Sequence, residues 1–192
     1  MRATFEEKTY ENYFNNELSK RTKIYFPIGQ VQEGYFGFDC SAYSTNNKLW
    51  RILGYPYISY KGCELKDIAK YMEIIIGNEI DNIPKMKANL LFQYKKPEYI
   101  TVSTGKEWFA WGQPYFRYDI DIEQQELLMQ IHNNFGKSIL VLYAAPALHK
   151  VQDLVDAYIK SKIIDYSNFK KVNDLYGHHR NTYIQAGTYS IA

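Results

Sequence analysis

A chain of 192 residues with 46% hydrophobic and 23% charged residues has ordinary globular proportions, which exclude a disordered, collagen-like or coiled-coil protein and suit one compact domain. Its formal net charge of +2 is too small by itself to attract a polyanion. The unusual feature is an aromatic content of 17%, made up of 19 Tyr, 10 Phe and 3 Trp.

Tyr10, Tyr13, Phe14 and Leu18 fall at helical spacing and predict an amphipathic first helix over 9–21. Gly29 and Gly34 then bracket a short turn between strand-like runs at 23–28 and 35–43, which predicts a hairpin. Residues 44–84 mix turn residues such as Asn46, Asn47, Gly54 and Pro56 with one helical segment at 65–76, and read as an insertion between core strands. Strand character returns at 86–95, where Leu90, Phe92 and Tyr94 alternate with Leu91, Gln93 and Lys95. Gln124, Leu127, Leu128, Ile131 and Phe135 mark a helix from 122 to 135, stopped by Gly136. The continuous apolar run at 138–144 suits a strand covered on both faces, ended by Pro146. Val151, Leu154, Val155, Tyr158 and Ile159 define the next helix, and the tail holds short strand-like pieces around His178 and His179. The expected class is α/β with a mixed central sheet flanked by helices, in one domain spanning 1–192 with an insertion at about 44–84. The abrupt ending at Tyr-Ser-Ile-Ala leaves open that this is the N-terminal part of a longer protein.

No apolar leader follows the first residues, and no apolar run approaches a membrane-spanning length. Cys40 and Cys63 are too few for a disulfide framework and match no zinc spacing, so a reducing, cytoplasmic setting is the simplest expectation. Charge is uneven along the chain. Lysines 85, 87, 95, 96 and 106 face Glu98 alone within 85–106, and 160–180 carries five basic residues against Asp165 and Asp174. Asp119, Asp121, Glu123 and Glu126 balance them, and they suit the positive end of a helix beginning there.

The familiar phosphate-binding, dinucleotide-binding, serine-hydrolase and zinc-protease motifs are absent from the sequence. What remains is Asp39 late in one expected strand, Gln93 and Lys95 two apart at the end of another, and glutamates on the first helix. Two-residue spacing on a strand turns Gln93 and Lys95 to one face. A carboxylate and neighbouring oxygens suit a hard cation such as Mg²⁺. Such an ion polarises a phosphate and lowers the pKa of an attacking water, while a lysine offsets transition-state charge. The plainer reading makes Asp39 a turn or edge residue and Gln-x-Lys a solvated strand face.

The segments Glu-Gly-Tyr-Phe-Gly-Phe-Asp39-Cys, Leu-Leu-Phe-Gln93-Tyr-Lys95-Lys-Pro and Thr-Tyr-Glu11-Asn-Tyr-Phe resemble successive motifs of the PD-(D/E)XK, restriction-endonuclease-like nucleases. Phe-Gln-Tyr-Lys-Lys-Pro-Glu, Val-Leu-Tyr-Ala-Ala-Pro-Ala-Leu-His and Gly-His178-His179-Arg-Asn-Thr-Tyr extend the similarity to a bacterial branch with a Gln-x-Lys motif. The resemblance implies a restriction-endonuclease-like core and Mg²⁺- or Mn²⁺-dependent phosphodiester hydrolysis. Its expected partner is nucleic acid, most simply DNA in the handling of foreign DNA, in some relatives cut by a homodimer. It further implies that Asp39 and Gln93 bind the metal, that Lys95 assists catalysis, and that Glu11 completes the site. Gln93 stands where an acid is usual, and the proline before Asp39 is missing. Glu17 and Glu33 are alternatives to Glu11. A catalytically silent nuclease fold that binds nucleic acid or a protein partner is the competing expectation, favoured by Gln93.

Adjacent histidines on an extended segment point to opposite faces, so His178 and His179 suit a turn or core edge better than a shared metal. His132 on a helix flank and His149 at a helix start carry no assigned role. Trp108, Trp111, Tyr115, Phe116 and Tyr118 suit packing more than base stacking, because basic residues do not interleave with them.

Overall fold

The computed structural model describes residues 2–192, and residue 1 of the expected 1–192 unit lies outside the described residues. Helix α1 (Glu7–Ser19) forms where expected. Its Tyr10, Phe14 and Leu18 recur four residues apart and are all fully buried, giving one apolar stripe. Phe14 packs edge-on against Phe92 and Phe169, at 5.3 and 6.1 Å between ring centroids. Burying a ring of this size is worth about 2–3 kcal/mol.

Strands β1 (Ile24–Pro27) and β2 (Cys40–Tyr43) pair antiparallel, Ile24 opposite Tyr43 and Pro27 opposite Cys40. Their link is not the expected glycine turn. Helix α2 (Gln30–Phe36) occupies it, so residues 35 and 36 are helical rather than extended. The Gln32 side chain accepts the Gly29 N–H at 3.3 Å, which secures the helix start. Gly37 then ends the helix at a positive φ of 76°. A Cβ at Gly37 would come within 2.9 Å of the Gln124 carbonyl oxygen, so glycine is needed both for the conformation and for the close approach.

Residues 44–84 hold α3 (Asn47–Leu53), β3 (Cys63–Glu64) and α4 (Leu65–Ile76), the last at its expected position. Asn46 caps α3, its side chain accepting the Lys48 and Leu49 N–H groups at 3.0 and 3.2 Å. The run at 86–95 divides at Asn89 into β4 (Lys87–Ala88) and β5 (Leu90–Tyr94). There follow β6 (Glu98–Ile100), α5 (Trp108–Trp111), β7 (Tyr115–Asp119) and α6 (Ile122–Phe135). Strand β8 (Leu140–Pro146), α7 (Val151–Ile159), β9 (Ser167–Lys171) and β10 (Arg180–Tyr183) complete the chain. Strand β8 starts two residues later than its apolar run, because the Ile139 N–H is still bonded to Phe135 O at the end of α6.

The main sheet runs β1-β2-β5-β8-β9. Strands β5 and β8 are parallel, Leu90 opposite Leu140 through Tyr94 opposite Ala144, and the other neighbours are antiparallel. This is a mixed sheet in an α/β protein. Leu90, Phe92 and Tyr94 face one core with α1 and α7 residues such as Phe14 and Leu154. Leu91 and Val141 face a second core with Phe36, Ile68, Leu128 and Ile131 from α2, α4 and α6. A smaller sheet, β10-β7-β6, closes on that second core through the buried Phe116, Tyr118 and Tyr183. Tyr115 is also buried, in keeping with packing rather than stacking for this aromatic group. Among the described residues no helix is long and apolar enough to cross a membrane.

Asn89, fully buried between β4 and β5, holds the insertion to the sheet as a peptide group would. Its Oδ1 accepts the Ser44 N–H at 2.9 Å, and its Nδ2 donates to Ser44 O at 2.9 Å and Tyr60 O at 3.3 Å. Replacing it strands the Ser44 N–H and the Tyr60 carbonyl, while Ser44 O keeps the Trp50 indole N–H at 2.9 Å, so Asn89→Ala is expected to cost about 2–4 kcal/mol in urea unfolding. A loss below about 0.5 kcal/mol would contradict this role.

Candidate functional site

The site grows from the end of the β2–β5 ladder. Cys40 lies opposite Phe92 and Ser41 opposite Leu91, so the next pair outward sets Asp39 against Gln93. The Asp39 N–H donates to Phe92 O at 2.9 Å, and the Tyr94 N–H donates to Asp39 Oδ2 at 2.7 Å. The side chain thereby extends the ladder by one bond. Because Cys40 and Phe92 share the α1 core, strand alternation puts Asp39, Gln93 and Lys95 on the opposite face.

Gln93 is only 2% exposed. Its Nε2 donates to Tyr94 O at 3.1 Å, while its Oε1 is buried without a hydrogen-bond partner among the described residues. An orphaned buried acceptor is costly, and a water or an ion can satisfy it. Lys95 is anchored by its main-chain N–H to Ala144 O at 3.0 Å. Its Nζ donates to Gln124 Oε1 at 2.6 Å and stands 5.8 Å from the centroid of the Tyr143 ring. Gln124 is itself fixed at the start of α6, where its N–H donates to the capping Asp121 Oδ1 at 2.9 Å.

Two helices bring further carboxylates to this end of the sheet. Glu33 of α2 is in hydrogen-bonding contact with Asp39, and Glu11 of α1 is close enough to act on its charge. Glu11 is buried and accepts from Lys8 Nζ at 2.7 Å. Glu7, one turn earlier, accepts the Lys96 N–H at 2.6 Å. Burial, aided by the Glu33 and Glu11 charges, lifts the Asp39 pKa to about 8 against the pull of the Tyr94 N–H. Burial also raises Glu7, with nearby Lys95 pulling it down. Glu33 lines an open cleft of about 330 Å³ with Gly37, Asp121 and Gln124.

Three expected residues, Asp39, Gln93 and Lys95, thus occupy neighbouring positions on one sheet face, and Glu11 borders them electrostatically. Glu33 supplies the direct contact with Asp39, and its part was hidden because α2 read as a turn and strand. Glu7 was missed by the sequence reading, although its i−4 position from Glu11 on the same helix face is the signal that could have found it. Glu17 does not substitute for Glu11. Its carboxylate pairs with Arg21 and accepts the Ile164 N–H at 3.3 Å. Of the four acids read as dipole partners of α6, Asp119 lies on β7 and bonds Arg180 at 2.9 Å. His178 and His179 are exposed in the loop before β10, and His149 stacks on Tyr99 at 4.3 Å.

Among the described residues no group of three or more His, Cys, Asp or Glu side chains is arranged to hold a metal ion. The oxygens at hand are the Asp39 carboxylate and the unpartnered Gln93 Oε1. That set fits Mg²⁺, which takes one or two protein ligands and keeps waters for the rest. Comparison with protein-family models, with curated proteins and with solved structures gave no match.

The Asp39 shift fixes a sign for stability. Its pKa is raised in the fold, so the native state binds this proton more tightly than the unfolded chain. The stability it confers is fully present below about pH 4 and is lost as pH rises through about 8. Asp39→Asn retains an acceptor for Tyr94 without the charge. In urea unfolding it is expected to exceed wild type by about 2 kcal/mol or more near pH 9 and to lose that advantage by about pH 5. An equal deficit at both pH values would contradict a buried, proton-holding Asp39.

Proposed function

We propose that this protein is a Mg²⁺-dependent nuclease with a restriction-endonuclease-like core, acting on DNA in the cytoplasm in the handling of foreign DNA. The observation that carries the reading is the orphaned Oε1 of Gln93, a residue one step beyond the Cys40–Phe92 pair and so opposite Asp39, with Lys95 next along the same strand face. The mixed sheet with α1 ahead of β1 and α6 between the parallel strands β5 and β8 supports the same reading.

Asp39 and Gln93 would hold the ion, which when bound polarises the scissile phosphate and acidifies a water. Asp39 must first release the proton that burial and Glu33 keep on it. Lys95, held by Gln124 over the Tyr143 ring, presents an ammonium group to charge gathering on the phosphate. The fixed orientation matters, since preset charge costs no reorganisation at the moment of reaction. Glu11 and Glu33 set the local negative potential that attracts a cation and opposes unshielded phosphate.

A second reading, a catalytically silent nuclease fold that binds nucleic acid or a protein, draws on one specific observation. Asp39 keeps its proton to about pH 8, and neutral Gln93 adds no charge to offset this. Metal titration separates the two readings. For the active site, Mn²⁺ binding by calorimetry depends on Asp39, releases a proton, and tightens by up to about tenfold per pH unit between pH 6 and 8. Absence of Asp39-dependent binding supports the silent module.

Cleavage of supercoiled plasmid or labelled DNA strands in Mg²⁺ or Mn²⁺ tests the reaction itself. Lys95→Ala is expected to slow cleavage by about 100-fold or more. Activity that survives the substitution rejects the mechanism.

A further inference from the structure

We infer that a contact point for single-stranded DNA lies at the far end of β2 from Asp39, where Lys23 and Lys87 share the ring of Tyr43. Their ammonium nitrogens stand 6.0 and 5.5 Å from its centroid, and the Tyr57 hydroxyl lies close to Tyr43. Three separate segments converge here. The Lys23 N–H donates to Tyr43 O at 2.8 Å just before β1, Tyr43 ends β2, and Lys87 belongs to β4.

Among the described residues the two lysines of the cluster carry no carboxylate counter-ion, in contrast to three of the arginines. Arg21, Arg117 and Arg180 each hold two carboxylates. Among the described residues neither Lys23 nor Lys87 forms an ion pair. Even Glu64, opposite Lys87 in the β3–β4 pair, makes none with it. Both lysines are exposed, and a cation resting on an aromatic ring at an exposed site is weakly held. Two like charges gathered without a counter-ion repel each other, and an incoming phosphate relieves that repulsion. The vacated ring face then suits an unstacked base, the combination of cationic track and aromatic platform used for single strands. Tyr43 lies about 13 Å along the strand from Asp39. This contact rests on the nuclease reading and deepens it by naming how substrate is gripped away from the cut.

Fluorescence anisotropy of the whole chain with a labelled oligothymidylate of about 20 nucleotides, in chelator and about 100 mM salt, tests it apart from the metal site. The double variant Lys23→Ala/Lys87→Ala is expected to weaken binding by about tenfold and to lower the salt slope by about 1.4. Tyr43→Leu is expected to weaken it about fivefold or more. Lys160→Ala, which removes an exposed charge elsewhere, is expected to change neither quantity. An equal loss in Lys160→Ala, an unchanged double variant, or no binding by wild type overturns the inference. So does displacement by thymidine monophosphate at matched nucleotide concentration, which would assign the cluster to free nucleotides. Wild-type cleavage with an unaltered double variant would sink this contact and leave the nuclease reading standing, whereas Lys23- and Lys87-dependent binding without cleavage would do the reverse.

Discussion

The protein's candidate chemistry depends on one main-chain donor. Strand β5 outruns the paired residues of β2, and the Tyr94 N–H at its end would be left buried and unpaired without the Asp39 carboxylate. An unmade hydrogen bond of that kind costs about 1–3 kcal/mol. Asp39 is therefore bound into the sheet by backbone geometry before any functional demand is placed on it. The same bond aligns it with Gln93 across the ladder, and the bond one residue inward, from Asp39 N–H to Phe92 O, keeps the register from slipping. A slip of one residue would send Asp39, Gln93 and Lys95 into the aromatic core around Phe14 and Phe92.

Two opposing tendencies meet at this point. Packing on both sheet faces withdraws Asp39 from water, which favours its neutral form, and the α1 and α2 helices bring Glu11 and Glu33 alongside. Crowding three carboxyl groups in a buried setting is unfavourable, and the proton held on Asp39 relieves it. Lys95 relieves little of it, because its ammonium group is turned toward Gln124. The unpartnered Gln93 oxygen adds a neutral acceptor beside these carboxylates, the kind of oxygen set that the proposed Mg²⁺ would use.

Much of this was legible in the sequence where one local rule acted alone. The α4 and α6 boundaries followed from apolar periodicity, and the alternation at 90–95 set Gln93 and Lys95 on one face. Reading failed where two signals overlapped. Tyr35-Phe36-Gly37-Phe38 looks extended by composition, yet the Gln32 to Gly29 cap and the positive φ of Gly37 make its first half helical. That misreading concealed Glu33, since only a helix carries it back to Asp39. Asn89 was likewise silent, because a buried side chain that imitates a peptide group has no periodicity to betray it. Burial of the Gln-x-Lys strand was also not apparent, as the polar pair reads equally well as a solvated edge.

Anomalous scattering from crystals soaked in Mn²⁺ would show whether Asp39 and Gln93 hold a divalent ion together. A single strong peak is expected, bonded to the Asp39 carboxylate and to Gln93 Oε1 at about 2.0–2.3 Å from each oxygen. A peak elsewhere, or none at these two residues at a pH above about 8 where Asp39 is ionised, would contradict it.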